Sequence, residues 1–177
     1  MKAEPTTSGQ IHLYTGNGKG KTTAAFGLAV RALCAGKQVF IGQFVKSMKY
    51  NETQIEDQFA RLTIEQFGCG CLLNRQASAE DLAKAKEGLA VCAKALNDPM
   101  NDVVILDEIC IAIHLNLLTT KEVLDVLNNR LPHIEVVLTG RYAPQELVDL
   151  ADLVTDMVEV KHYYTTKNLL SRNGIDK

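Results

Sequence analysis

YTGNGKGKTT, residues 14–23, packs three glycines and two lysines into ten positions between a short apolar run and a helical pattern. It ends in Gly20-Lys21-Thr22, as a phosphate-binding P-loop does, although Thr15 stands where the usual G-x-x-x-x-G-K-[ST] pattern has its first glycine. Glycines let the backbone turn its N–H groups inward, so that the loop and the following helix N-terminus hold phosphate oxygens. Gly16, Gly18 and Gly20 are predicted to form this phosphate nest, with Lys21 over the phosphates and the Thr22 hydroxyl at a magnesium ion. Lys19 is expected either to contact phosphate or to be solvated.

Strands and helices are predicted to alternate along the rest of the chain. The helix after the loop, 22–36, ends at a glycine, and two later helices begin with capping boxes, Ser78 to Asp81 and Thr119 to Glu122. The apolar run before Asp107 is typical of a strand buried on both faces of a parallel sheet. The predicted fold class is α/β, a P-loop NTPase of the RecA-like type, with a mostly parallel sheet and helices on both faces. The predicted strands are 10–15, 38–44, 62–67, 102–108, 134–141 and 157–164, with a short helix over 143–152.

Length, charge and cysteine content indicate how many domains the chain forms, which partners it binds and in which compartment it lies. The 177 residues are expected to form one domain, 1–177, with residues 1–8 disordered. A net charge of −2 without a basic stripe makes a nucleic acid an unexpected partner. No secretory signal and no apolar run of about 18 residues is evident, so we expect no membrane contact. The odd number of cysteines, five, fits reduced thiols in the cytoplasm.

Two acids at the end of a predicted strand could complete a magnesium site. Asp107 and Glu108 point to opposite sides of the backbone, so one of them can face an ion that the Thr22 hydroxyl also holds. The alternative is that both acids cap the next helix or face water. Arg31 is expected either at the nucleotide or in solvent, and Arg141 stands at a strand end. The residues alone predict binding of a magnesium nucleoside triphosphate and leave the reaction open, because no arginine-rich lid or water-orienting residue is evident.

Four stretches, the first of which begins within the glycine loop, follow one another along the chain: TGNGKGKTTAAFGLAVRA, GQFVKS, VVILDEI and VVLTGRYAPQELVDLADLVTDMVEVKHYY. A closing NGIDK follows them. Together they closely resemble the P-loop type of ATP:corrinoid adenosyltransferase, over nearly the whole chain from Gly9 onward. The loop of that family reads G-N-G-K-G-K-T-T, so Thr15 fits its pattern. Family members transfer the 5′-deoxyadenosyl group of ATP to Co(I) of a reduced corrinoid and release tripolyphosphate, in adenosylcobalamin synthesis or salvage.

The resemblance implies a set of catalytic residues and a corrinoid pocket. Co(I) needs no side chain to activate it, so catalysis would consist of positioning and leaving-group stabilisation. The resemblance also implies Arg31 and Arg141 near the nucleotide, an external reductant such as a flavoprotein, and a homodimer. The residues that it implies at the triphosphate are Gly16, Asn17, Gly18, Lys19, Gly20, Lys21, Thr22 and Thr23. The implied catalytic residues are Lys21, Thr22 and Glu108, the magnesium ligands are Thr22 and Glu108 with Asp107 as the alternative, and the corrinoid pocket contains Phe67, Cys71, Leu72 and Leu73.

The chain departs from the best-known family members on the corrinoid side. About eight residues precede the first predicted strand, where those members have a long arm that covers the corrinoid. The loop QFGCGCLLNR has Cys71, Leu72 and Leu73 where aromatic residues are often found. Cys69 and Cys71 could chelate zinc, but a structural zinc site uses a second pair of ligands. Two other functions stay open: a P-loop kinase or recombinase-like ATPase, and a non-enzymatic module that holds a corrinoid with ATP.

Overall fold

A computed structural model describes residues 8–48, 50–70 and 76–176. Within them six strands form one sheet: β1 Ile11–Thr15, β2 Val39–Phe44, β3 Leu62–Phe67, β4 Val103–Asp107, β5 Glu135–Thr139 and β6 Leu153–Asp156. The strand order is β3-β2-β4-β5-β1-β6, and every neighbouring pair is parallel. All six carboxyl ends therefore meet at one edge of the sheet, which is where parallel sheets bind ligands.

Helices cover both faces of this sheet, as predicted. Phe26 and Leu33 of the first helix pack on one face against the Ile41 and Ile105 side of the strands. The other face carries a larger apolar cluster that four further helices complete. None of the described helices is long and apolar enough to cross a membrane. The helices are α1 Lys21–Cys34, α2 Ala79–Ala95, α3 Ile109–His114, α4 Thr120–Asn128, α5 Gln145–Leu150 and α6 Tyr163–Lys167, with a 3-10 helix at Asn51–Gln58.

Local sequence signals set the ends of three helices as predicted. Ser78 and Asp81 form a reciprocal capping box at the start of α2, and Thr119 and Glu122 do the same for α4. Gly36, at φ 81°, ends the chain's first helical segment in the left-handed conformation that glycine adopts without strain. These ends depend on side chains within three or four positions of each other, so the sequence alone could predict them.

The predicted strand over 157–164 is wrong. The last strand, β6, ends earlier, at Asp156, and α6 occupies part of the predicted range. The reason lies in the partner strand: β6 pairs with β1, and β1 ends at Thr15, where the glycine loop begins. Among the described residues no strand pairs with 157–164, and Val158 and Val160 are 67% and 93% exposed. Alternating apolar residues therefore do not form a strand here.

Candidate active site

The glycine loop connects β1 to α1 at the ligand-binding edge of the sheet. Gly20 precedes α1 with φ 122°, and no side chain caps the first turn of that helix. That turn also contains no acidic residue. The N–H groups and the positive end of the helix dipole thus stay available to an anion.

Lys21 closes the loop in this structure. Its ammonium donates hydrogen bonds of 2.7 Å to the carbonyl oxygens of Gly16 and Gly18. Lys21 is 7% exposed. Burial lowers its pKa, and the positive charge of Arg141 acts in the same direction. A phosphate chain would offer this ammonium anionic acceptors in place of two neutral carbonyls.

The outer side of the loop contacts the segment that follows β6. The Gly18 N–H donates to the Met157 carbonyl at 2.6 Å. A Cβ atom at Gly16 would lie 2.1 Å from Asp156 Oδ1, and one at Gly18 would lie 2.6 Å from the Met157 oxygen. Both positions therefore exclude a side chain because of this neighbouring backbone, and not only because of a phosphate.

The Asp107 carboxylate accepts four side-chain hydrogen bonds at this edge of the sheet. Its side chain is fully buried, and its Oδ1 accepts from Thr22 Oγ1 at 2.9 Å and from Thr139 Oγ1 at 2.7 Å. Its Oδ2 accepts from Gln43 Nε2 at 3.0 Å and from Lys46 Nζ at 2.7 Å. Burial alone would raise the pKa of this carboxyl, but the Lys46 ammonium and the hydroxyl donors hold it below its ordinary range. Lys46 is not among the site residues predicted from the sequence, although it lies two positions after β2 in the quoted stretch GQFVKS.

Glu108 has a different environment although it is the next residue. Its φ of 60° is left-handed, and its N–H donates to Thr139 Oγ1 at 2.9 Å. Among the described residues none donates a hydrogen bond to its half-buried carboxylate. Burial and the neighbouring charge of Asp107 raise the pKa of Glu108. A partly desolvated carboxylate without a donor fits a cation, whereas Asp107 already has four donors.

The two arginines predicted near the nucleotide lie in different places. The charge of Arg141, after β5, acts on both Lys21 and Glu108, so Arg141 lies at the same edge as the loop. Arg31 is exposed in the last turn of α1, about 15 Å along the helix axis from Lys21. The structure does not bring Arg31 to the loop; its charge acts on Tyr14 of β1, and a contact with the sugar or base of the nucleotide stays a prediction.

Lys19 contacts the C-terminal segment. Its ammonium donates to the Tyr163 hydroxyl at 3.0 Å, to the Ile175 carbonyl at 2.8 Å and to the Asp176 carboxylate. Arg172 Nε also donates to Asp176, at 3.1 Å. The hydrogen bond from Lys19 is the first of the contacts that hold the pKa of Asp176 well below its ordinary range. Lys19 is therefore paired with the C-terminal segment in this structure, and its contact with phosphate stays a prediction.

A cavity of about 330 Å³ lies between the loop and the segment after β6. Gly18 and Lys19 form one side of it, and residues 158–163 form the other. Its volume is at the lower end of the range for small-molecule sites. His162 lines this cavity and also accepts a hydrogen bond from the Tyr164 N–H.

The predicted corrinoid pocket is only partly described. Cys71, Leu72 and Leu73 lie outside the described residues. Phe67 is 5% exposed and packs against Phe44, with ring centroids 5.8 Å apart. Phe67 is thus a core side chain in this structure, and its contact with a corrinoid stays a prediction. Within the described ranges no group of three or more His, Cys, Asp and Glu residues could hold a metal ion.

Comparisons with known proteins bear on the reaction. The sequence profile of the family described as ATP:corrinoid adenosyltransferase BtuR/CobO/CobP matches residues 7–176. Corrinoid adenosyltransferase CobA of Salmonella typhimurium is 35% identical over 168 residues, which are 95% of this chain and 85% of that protein. The corrinoid adenosyltransferase of Pseudomonas aeruginosa is 37% identical over 172 residues, which are 95% of this chain and 83% of that protein.

The crystal structure of the RadB recombinase has a similar fold. The TM-score is 0.58 at 15% identity, and the match covers 88% of this chain and 77% of that chain. At this identity the likeness concerns the fold alone, and it confirms the RecA-like P-loop fold predicted from the sequence. The profile match over almost the whole chain, and relatives above 30% identity, show that the chain belongs to the ATP:corrinoid adenosyltransferase family, whose reaction is the ATP-dependent adenosylation of corrinoids.

Proposed function

We propose that this chain transfers the 5′-deoxyadenosyl group of ATP to Co(I) of a reduced corrinoid and releases intact tripolyphosphate, in adenosylcobalamin synthesis or salvage. The electron pair of Co(I) forms the bond to the ribose 5′-carbon. The bond from that carbon to the α-phosphate oxygen breaks, and its electrons leave with the triphosphate. The observation that carries the proposal is the uncapped start of α1 beside Lys21, in a chain of this family.

Leaving-group stabilisation is the chemistry that these residues can supply. Lys21 would exchange the carbonyls of Gly16 and Gly18 for phosphate oxygens, and the N–H groups at the start of α1 would bind the same chain. Arg141 lies within electrostatic reach of Lys21 and would add positive charge. Each such contact strengthens as negative charge accumulates on the departing oxygen, so it lowers the barrier and not only the dissociation constant.

Thr22 and Glu108 are the residues that would hold magnesium. The Glu108 carboxylate fits a magnesium ion, because it is half-buried and accepts no hydrogen bond from the described residues. Asp107 would act through the Thr22 hydroxyl, which donates to it at 2.9 Å. Bound magnesium neutralises phosphate charge. The protein supplies two oxygen ligands and a buried carboxylate that orients one of them.

The proposal also covers the corrinoid pocket, the electron donor, the cellular location and the oligomeric state. Leu72 and Leu73 would cover the corrinoid, with Cys71 beside them, because a Co(I) corrinoid without a lower ligand favours an apolar surrounding. An external reductant, such as a reduced flavoprotein, would supply the electrons that form Co(I). We further propose that the enzyme is a cytoplasmic homodimer formed from one domain per chain, 1–177.

The test is the reaction with a corrinoid kept as Co(I) by a chemical reductant and with Mg-ATP in excess. We expect a light-sensitive cobalt–carbon bond and one tripolyphosphate per adenosyl group, measured by absorption spectra and mass spectrometry. The control contains the same corrinoid left oxidised, which should give neither product because the nucleophile is absent. ADP and phosphate formed without corrinoid would identify an ATPase, and a phosphorylated acceptor would identify a kinase. Tight binding without turnover would identify a corrinoid-holding module.

A further inference from the structure

Lys46 extends over the carboxyl end of β4 from the neighbouring strand β2. Its Nζ lies 2.7 Å from Asp107 Oδ2 and 3.4 Å from the Thr22 hydroxyl oxygen. The Lys46 side chain is 17% exposed. The ammonium therefore touches both the buried acid and the loop threonine that our proposed function assigns to magnesium.

The backbone around Lys46 is shaped to hold it there. Val45 has φ 63°, a left-handed conformation that is strained for a β-branched residue. The Val45 N–H donates to the Phe67 carbonyl at 3.2 Å, which ties the end of β2 to the end of β3. A Cβ atom at Gly68 would lie 2.5 Å from the Val45 carbonyl carbon and 2.7 Å from the Lys46 nitrogen. A strained residue and an obligatory glycine thus fix the direction of this one lysine.

Asp107 does not need Lys46 for its hydrogen bonds. Gln43, Thr22 and Thr139 already donate to its two oxygens, so the carboxylate keeps three neutral donors if the ammonium moves away. A buried carboxylate with three donors remains stable as an anion. The Lys46 ammonium can therefore change partner without leaving an unsatisfied buried charge on Asp107.

We propose that Lys46 is a triphosphate-binding residue, which moves from Asp107 to the phosphate oxygens when Mg-ATP or tripolyphosphate binds at Thr22. This inference rests on the proposed function and deepens it by adding a cation from a second strand. Lys21 binds from within the loop, and Lys46 approaches from the end of β2. The leaving triphosphate carries more negative charge than Lys21 alone can offset, so a second buried ammonium stabilises it further.

The experiment measures binding of inorganic tripolyphosphate with magnesium by calorimetry, without corrinoid and without turnover. Lys46→Met removes the charge and keeps the length of the side chain. Because it leaves Asp107 without its cation, Asp107→Asn and the double variant are measured beside it. Lys37→Met is the control, since Lys37 is an exposed lysine whose Nζ lies 3.5 Å from Asp102. Thermal unfolding of each variant checks that it is folded.

Loss of a charged hydrogen bond predicts that Lys46→Met binds tripolyphosphate about 10–100-fold more weakly than the wild type. The double variant should bind at least about 10-fold more weakly than Asp107→Asn alone. Lys37→Met should bind as the wild type does. Equal affinity of the double variant and Asp107→Asn would overturn the proposal, because Lys46 would then act only by balancing Asp107. If Lys46→Met fails to fold, the double variant, which contains no unpaired charge, still gives the answer.

Failure of this inference is distinguishable from failure of the proposed function. A wild-type protein that forms the cobalt–carbon bond, together with a double variant that binds like Asp107→Asn, refutes only the role of Lys46. A wild-type protein that binds no tripolyphosphate refutes the role of Lys46 and the proposed phosphate site together.

Discussion

Replacing Asp107 by asparagine should destabilise the fold, whereas replacing the adjacent Glu108 by glutamine should not. The Asp107 side chain is 0% exposed and pairs with Lys46 at 2.7 Å. Removing one partner of a buried ion pair costs about 3–5 kcal/mol. Lys46 keeps 17% of its side-chain surface in water, and an amide oxygen can still accept its N–H. We therefore expect the lower end, a loss of about 3 kcal/mol in the free energy of unfolding.

Glu108 should behave in the opposite way because its charge is unfavourable in the absence of a cation. Burial and the charge of Asp107 raise its folded pKa above the ordinary value of 4.5. The ionised form then destabilises the fold at neutral pH, and the effect disappears below about pH 4.5, where both states are protonated. Glu108→Gln should match or slightly exceed wild-type stability at neutral pH, within about 0.5 kcal/mol. Asp107 has a lowered folded pKa, so its contribution is present at neutral pH and is lost as the pH falls below 3.8.

The assay is urea unfolding followed by far-ultraviolet circular dichroism at neutral pH, without nucleotide or magnesium. Equal m values would show that the variants unfold from equally compact states. A magnesium titration of ATP binding completes the comparison, in which Glu108→Gln should require more magnesium. A loss below about 1 kcal/mol for Asp107→Asn, or equal losses for both variants, would refute the assignment of the buried, paired role to Asp107 and the free role to Glu108.

Three further predictions concern the glycine loop and its contacts. Lys21→Ala should weaken Mg-ATP binding by about 3 kcal/mol without unfolding the protein, and unchanged affinity in calorimetry would contradict the phosphate site. Gly18→Ala should destabilise the fold, because its Cβ atom would lie 2.6 Å from backbone. Gly27→Ala should stabilise α1 by about 0.5–1 kcal/mol, because its Cβ atom would meet nothing within 4 Å. Urea unfolding measures both changes in the free energy of unfolding. Asp176→Asn should speed hydrogen exchange of residues 163–176 and leave the sheet unchanged, because the segment loses its charged contacts with Lys19.

Much of the fold could be predicted because the deciding signals are local. The glycine loop, the capping boxes at Ser78 and Thr119, and the apolar run before Asp107 each lie within a few adjacent residues. The end of β6 could not be predicted in this way. It depends on where β1 ends, more than 130 residues earlier in the chain. The apolar pattern of 157–164 does not depend on where β1 ends, so it could not predict the end of β6.

In the candidate site, too, residues within local motifs could be predicted, whereas a residue placed by the strand order could not. Lys21 and Thr22 follow from a short motif. The sequence pattern left open which of Asp107 and Glu108 would face an ion, and the family resemblance implied Glu108. The structure places these residues at one edge of the sheet. Lys46 is a single lysine 61 positions from the acid that it pairs with. The available signal was topological: Lys46 follows a buried strand whose neighbour ends in Asp107, so both were bound to meet at the same edge.

The structure also explains why the loop begins with threonine while it keeps three glycines. Thr15 is the last residue of β1, pairs with Asp156 in register, and accepts the Met157 N–H at 2.9 Å. It is therefore a strand residue with ordinary backbone angles and has no need of glycine. Gly16 and Gly18 face the backbone after β6, and a Cβ atom at either would collide with it. The edge strand β6 thus continues its contact with β1 into the loop itself. The loop is consequently held from outside by the segment after β6, which leaves its inner side to the phosphate chain that we propose.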